Sequence, residues 1–458
     1  MPNAISRETK DKHLESSSEN GRGGLTQYED LRGKRLLILG ATELECQIVD
    51  AAREMGIYTI TTDSNENWDD APAKKIADEA WNISWSDIPA LKEMALNSRV
   101  DGVIAGYSEF RTNCAIKLSR ELGTTFYITD EDQLAITRDK LLFKSICRQY
   151  GVPVAKDYYV TAEMKAEDLE KIVYPVIVKP TDNAGSRGIR FCNRREDIAS
   201  CIEYALSYSE SKRVVVEEVL HGHEVVAYYT LADGRAAFSS IFDKYARIER
   251  EGFNALMDAY LYPSNQLKKY LEKYDANVRR LLQEMGLKNG VISLQGFAQP
   301  DGSIVFFELG FRLGGTSAFH YTEHFNGVSH LRMLISHSLT GNMHPEELEK
   351  EDPTFKGHYG CTFTLLAKDG VIASMSGKEK VDSLPNVLYS TYFHRIGTEI
   401  VNNGSQFPKA FRAFIIGPDL DAIRDTIRFI QDTVSVKNTD GEDMLLDRFD
   451  VSKLSMDY

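Results

Sequence analysis

The sequence predicts a three-part chain of the α/β and α+β classes. Three observations carry that prediction. The 458 residues amount to about three domains at roughly 150 residues each. Short apolar blocks alternate with helical stretches through the first quarter, the pattern of an open sheet with right-handed crossover helices. From residue 173 short strands separated by turns predominate, and after about residue 358 strands mix with one amphipathic helix. No internal repeat is visible.

Taken in order, residues 1–32 are polar, rich in Ser, Glu, Lys and Gly, and lack hydrophobic periodicity, which predicts a mobile tail. Arg35-Leu-Leu-Ile-Leu39 is an apolar block ending at Gly40, the pattern of a buried parallel strand. A helix to Gly56, a strand over 57–62, a helix on Ile88, Leu91, Met94 and Ala95, and a strand over 100–105 follow. Gly40-Ala-Thr-Glu-Leu-Glu lacks the second and third glycines of a dinucleotide fingerprint, so this part is not an NAD site and Asp63 is a loop residue. A further helix has Thr137 as its N-cap and Leu142, Phe143, Ile146 and Tyr150 on one face; Gly151 and Pro153 stop it. A long helix over 264–285 turns Leu267, Leu271, Tyr274, Val278, Leu281 and Leu282 inward. The C-terminal part is a compact α+β unit. It has strands at 362–367 and 411–417 and a helix on Leu420, Ile423, Ile427 and Ile430.

Composition bounds the function. Hydrophobic residues at 42% and charged residues at 27% make an ordinary globular mixture. A net charge of −14 repels phosphate backbones and excludes nucleic acid as a partner, although a local cluster of donors can still hold a small anion. The six cysteines are scattered without a Cys-x-x-Cys pair, as in reduced cytosolic proteins. The N-terminus has no apolar signal core and no apolar run reaches the length of a membrane span. The expectation is a soluble cytoplasmic protein with no membrane partner.

Three segments carry chemistry. Lys179 lies in Tyr-Pro-Val-Ile-Val-Lys-Pro, where an ammonium is costly unless an anion meets it; the alternative is a strand-end lysine reaching solvent. The small-residue loop 181–188, with Gly185, Ser186 and Gly188, then offers backbone N–H groups and a hydroxyl to phosphate oxygens. In Val214-Val-Val-Glu-Glu-Val-Leu-His-Gly-His-Glu224 the strand is expected to break over Glu217, Glu218, Val219 and Leu220, exposing backbone that can pair with adenine. Glu224 is placed to accept ribose hydroxyls. The alternative is a strand–loop–strand with solvated acids. Residues 293–312 read as a hairpin, and a two-residue turn at Asp301-Gly302 sets Gln295 opposite Glu308, on a face shared with Phe297, Phe306, Gln299 and Ile304. Two side-chain oxygens converging this way can hold Mg²⁺ together with nucleotide phosphates. Arg312, near Gly314-Gly315, can neutralise charge on a transferred phosphoryl group.

Together these segments resemble the ATP-grasp superfamily, in the branch of biotin carboxylase, carbamoyl-phosphate synthetase, glycinamide ribonucleotide synthetase and L-amino-acid ligases. The resemblance covers residues 34–435. It implies an N-terminal pre-ATP-grasp domain over 33–130, an ATP-grasp domain over 131–345 with a nucleotide-covering subdomain at about 153–230, and a C-terminal lid over 346–458. By the same resemblance Lys140 and Lys179 contact ATP phosphates, 181–188 covers them, 217–220 is the adenine hinge, and Glu224 is the ribose acid. Gln295 and Glu308 hold Mg²⁺, with Mn²⁺ as a substitute, and Arg312 is catalytic. The signature commonly reads Glu-x-Asn-x-Arg. Here Gly310 stands at the Asn position without a side-chain oxygen.

His320-Tyr-Thr-Glu-His324 lacks the acid needed for a zincin motif; its histidines are local or substrate-side groups. Lys244 and Arg247 are candidates for a substrate carboxylate or the γ-phosphate, or surface cations. The implied activity is a cytoplasmic ATP-dependent ligase, with a homodimer as the expected assembly, that activates a small carboxylate as an acyl phosphate for attack by an amine. A biotin-type carboxylase subunit and a catalytically degenerate ATP-binding protein are the alternatives.

Overall fold

The computed structural model describes residues 31–129, 131–158, 169–182, 188–247, 255–402 and 408–456. Residues 1–30 of the expected tail lie outside this set, and Leu31 is already buried. The N-terminal part is a parallel four-stranded sheet ordered β3-β2-β1-β4, with β1 Arg35–Leu39, β2 Tyr58–Thr62, β3 Glu79–Trp81 and β4 Gly102–Ile104. The helix after β1, Glu43–Glu54, starts with a reciprocal capping box between Thr42 and Glu45. It buries Ile48, Val49 and Ala52 against the sheet. Asp63 lies in a turn, where its Oδ1 accepts the Asn65 N–H. Helix Glu109–Leu122, which has no counterpart in the sequence reading, buries Thr112, Ala115, Ile116, Leu118 and Ser119. That face is half small or polar and leaves only a weak apolar stripe.

The second sheet is small and antiparallel, ordered β5-β8-β6-β7, with β5 Asp157–Tyr158, β6 Val176–Pro180, β7 Arg190–Cys192 and β8 Val214–Glu218. Helix Ile198–Ser207 closes one face through Ile198, Cys201 and Ala205 onto Val176, Val178 and Val216. The third sheet has eight strands ordered β13-β12-β9-β10-β11-β14-β18-β16. Its members are β9 His223–Ala232, β10 Arg235–Arg247, β11 Leu256–Tyr262, β12 Gly290–Ala298, β13 Ile304–Phe311, β14 Tyr359–Leu366, β16 Val387–Tyr392 and β18 Lys409–Gly417. The C-terminal strands therefore extend the sheet begun by β9–β13 instead of forming a separate unit. Outside it stand a three-stranded sheet of β15 Gly370–Ser376, β17 Glu399–Ile400 and β19 Ser435–Asn438, and helix Leu420–Thr433. That helix buries Ile423, Ile427 and Ile430 and is capped by Asp419, which accepts the Ala422 N–H at 2.9 Å.

Two helices depart from expectation. The long helix splits into Leu267–Lys273 and Asp275–Glu284, because Tyr274 leaves helical geometry at φ −121°. Tyr274 is held there by accepting the Ile304 N–H and by packing against Phe306. Tyr270 takes the buried position expected for Leu271, which is exposed. The entry helix is Lys140–Gln149, capped by Asp139 rather than Thr137: Asp139 Oδ1 accepts the N–H groups of Leu141 and Leu142 at 2.8 and 3.1 Å. Its buried face is Lys140, Phe143, Lys144 and Cys147, and Leu142 points outward. Among the described residues no helix is long and apolar enough to cross a membrane.

Candidate active site

The hairpin β12–β13 carries the first half of the site. Gln295 pairs with Glu308, as the sequence suggests, but by a different route. The turn spans Pro300, Asp301 and Gly302, with Gln299 and Ser303 bonded across it, and Gly302 at φ +79° takes the left-handed position that closes such a loop. This alone would shift the register by one residue. A bulge at Phe307 shifts it back, so Gly296 faces Phe306 while Gln295 faces Glu308. The bulge also changes the company. Phe306 and Ile304, expected beside Glu308, are fully buried on the opposite face, where Phe306 meets Tyr270 and Tyr274. Phe307 lies on the site side with Phe297.

Neither the Gln295 amide nor the Glu308 carboxylate has a hydrogen-bond or ion-pair partner among the described residues. An anionic and a neutral oxygen donor, side by side and unused by the fold, suit a hard cation such as Mg²⁺ completed by phosphate and water oxygens. Ser293 stands on the same face, opposite Gly310. A Cβ at position 310 would lie 2.8 Å from Ser293 Oγ, so this hydroxyl occupies the space of the missing side chain. Nothing in the sequence marked Ser293.

The small sheet supplies the second half. Lys179 Nζ meets Glu217 Oε2 at 2.6 Å, and Lys144 Nζ meets Glu217 Oε1 at 2.7 Å. All three side chains are buried. Burial works against the Glu217 carboxylate, but Lys179 and Lys144 more than offset it and hold the group below the usual range. Burial pushes Lys144 down to about 8, against the pull of Glu217. Glu217 is thus an ion-pair centre inside the sheet rather than the start of an exposed edge. The β8 ladder runs through Glu217↔Ile177 and Glu218↔Val176, and the Glu218 carboxylate accepts the Lys156 N–H at 2.7 Å. The strand break begins at Val219 and includes half-buried Leu220. Lys144 escaped the sequence reading, although helical phase places it one turn from Lys140 on the buried stripe.

The two halves meet. Lys179 Nζ lies 5.4 Å from the centre of the Phe307 ring. A cleft with about 320 Å³ of open space is lined by Lys140 and Asp182 on one side and Glu308 on the other. It adjoins a second cleft, through Glu109, Thr137 and Leu309, that reaches Gly310 and Arg312. Arg312 bonds only the Leu313 carbonyl and has no carboxylate partner among the described residues. Lys244 is ion-paired with Glu224, so these two candidates form one neutralised pair. Arg247 is engaged by Asp258. Gly188 packs against Tyr208 and Pro180, and Gly185 and Ser186 lie outside the described residues. His320 hydrogen-bonds Gln47 at 3.0 Å.

Residues 172–319 match the family described as the ATP-grasp domain. The chain is 24% identical to the 2-oxoglutarate carboxylase small subunit of Hydrogenobacter thermophilus over 61% of each chain. It is 26% identical to the formate-dependent phosphoribosylglycinamide formyltransferase of Corynebacterium efficiens, over 40% of this chain and 46% of that one. The fold resembles the crystal structure of phosphoribosylglycinamide synthetase from Anaerococcus prevotii, with TM-score 0.69 and 20% identity over 89% of this chain and 100% of the other. It also resembles that of L-amino acid ligase from Bacillus licheniformis, with TM-score 0.71 and 17% identity over 89% and 99%. The biotin carboxylase domain dimer of the H. thermophilus 2-oxoglutarate carboxylase, crystallised with MgADP and bicarbonate, gives 0.74 and 20% over 88% and 90%. The chain spans 61% and 46% of the first two relatives' lengths. The protein has the ATP-grasp fold. The ATP-grasp domain match and the fold agree with the resemblance that the sequence motifs suggested.

Proposed function

We propose that the protein is an ATP-dependent ligase that phosphorylates a small-molecule carboxylate with ATP and passes the acyl phosphate to an amine, releasing ADP and phosphate. One observation carries this reading: Lys140 and the unpaired Glu308 line a single cleft that continues to Arg312. That cleft brings cations and a carboxylate without a partner among the described residues to one space, as phosphoryl transfer requires. Lys140 stands in the first turn of its helix, where the backbone dipole also favours phosphate. Lys179 adds charge from the small sheet. The adenine edge falls to the backbone at Val219 and Leu220, and Glu224 takes the ribose. Gln295 and Glu308 would hold Mg²⁺, with Mn²⁺ as a substitute, and the bound ion would neutralise charge on the phosphates. Arg312 stands beside the transferred group.

Relatives named for amino-acid ligation, formate-dependent formyl transfer and carboxylation all fit a carboxylate or bicarbonate as the activated group. Carboxylation is therefore the second reading. A dimer and a cytoplasmic setting accompany both. The test is product analysis with ¹⁸O-labelled carboxylate. Label appearing in inorganic phosphate, with ADP as coproduct, is expected. AMP carrying the label, with pyrophosphate, means adenylation and ends the acyl-phosphate reading. Nucleotide binding without turnover on any carboxylate leaves the degenerate binder suggested by Gly310.

A further inference from the structure

Arg412, on β18 between β14 and β16, is almost fully buried. A guanidinium has five N–H donors and always carries its charge, so burial without an anion is expensive. No carboxylate lies within ion-pair distance of it among the described residues. Nη1 donates to the Gly315 carbonyl at 2.6 Å, Nε reaches Thr364 Oγ1 only at 3.4 Å, and the group stands 5.1 Å from the centre of the Phe393 ring.

The neighbours deepen the deficit. Burial, and after it the charge of Arg412, push the Lys409 ammonium down to about 7. His320 is held neutral by burial and then by Arg412, near 3. Lys409 too has no hydrogen-bond or ion-pair partner among the described residues. A buried cation and a half-buried one thus share one region without an acid between them among the described residues. That region adjoins the reacting end of the cleft, because Gly315 follows Arg312 by three residues and a Cβ at Gly315 would meet nothing within 4 Å.

We propose that Arg412 receives a carboxylate of the substrate in the open space beside Gly315, with Lys409 as a second cation. The proposal rests on the carboxylate-activating reading for the identity of the anion, and the geometry supplies the place. An Arg fork matches a carboxylate through two parallel hydrogen bonds, and the Gly315 carbonyl fixes the fork's orientation.

The test is a titration of the full chain with ¹³C-acetate by NMR, at constant ionic strength set with chloride, comparing wild type, Arg412→Met and Arg412→Lys. MgADP affinity is measured in parallel. Wild type should bind acetate saturably, and Arg412→Met should weaken it by at least about tenfold. Arg412→Lys should weaken it too, because a point charge cannot reproduce the fork. If Arg412→Met loses MgADP binding along with its fold, Arg412→Lys decides alone. Wild-type acetate affinity in the folded variants, or no saturable binding in wild type, overturns the proposal. Failure of MgADP to bind the wild type instead sinks the nucleotide reading, and the acetate result then stands on its own.

Discussion

Glu308→Gln should cut Mg²⁺-dependent ATP turnover by about a hundredfold or more, equivalent to ~2.7 kcal/mol on the barrier. The substitution preserves shape and removes the one formal charge that the hairpin offers a metal. Its partner in the register, Gln295, is already neutral, and position 310 contributes no side chain at all. A hairpin with one carboxylate has no reserve of its own. Binding of a hard divalent cation depends on anionic oxygen, and two amides leave the phosphates to hold it alone. The hairpin itself should survive, because Glu308 is half-buried, makes no side-chain bond among the described residues, and contributes to the ladder only through its backbone. The measurement is turnover against Mg²⁺ concentration, with the far-ultraviolet spectrum as the fold control. A variant that saturates with Mg²⁺ at the wild-type concentration and rate would show Glu308 to be structural.

The same hairpin shows how far the sequence carries. The Gln295–Glu308 pairing was legible because Asp301-Gly302 marks a turn between two apolar runs. The three-residue loop and the Phe307 bulge were not legible. Each shifts register by one, and the two cancel at the site while exchanging Phe306 for Phe307 on its face. The alternating strands and helices of the first sheet could be read because buried parallel strands are continuous apolar runs. The shared eight-stranded sheet could not, since no local signal says that β14 will pair with β11 across a long separation. Buried charges were the largest blind spot. Lys144 and Arg412 look like solvated residues in a sequence, and only the packing of their neighbours shows otherwise. Lys179 is visible because its own strand is apolar on both faces, whereas its partner Glu217 looks from the sequence like the start of an exposed edge.

That partner gives the second large effect, on stability rather than turnover. Glu217→Gln leaves the buried ammonium groups of Lys144 and Lys179, with side chains 0% and 6% exposed, without their shared anion. Removing one member of a buried ion pair costs about 3–5 kcal/mol, because the remaining charge is stranded in a poor solvent. Here one carboxylate serves two cations, so the upper part of that range is expected. The loss should fall on the small sheet, where Glu217 also pairs through its backbone with Ile177. Hydrogen exchange of amides in β6 and β8 should therefore accelerate before those of the eight-stranded sheet. Lys144→Met combined with Glu217→Gln should recover part of the loss, since one stranded charge is replaced by an apolar chain of similar length. Lys179 would remain charged, and ATP phosphates could then take the place of Glu217 as its anion. Added MgATP should accordingly bind the double variant more tightly than wild type and, at equal concentration, restore more stability to it. If Glu217→Gln unfolds at the wild-type denaturant midpoint, the three side chains are not coupled as their distances imply, and Lys179 is held in place by its strand alone.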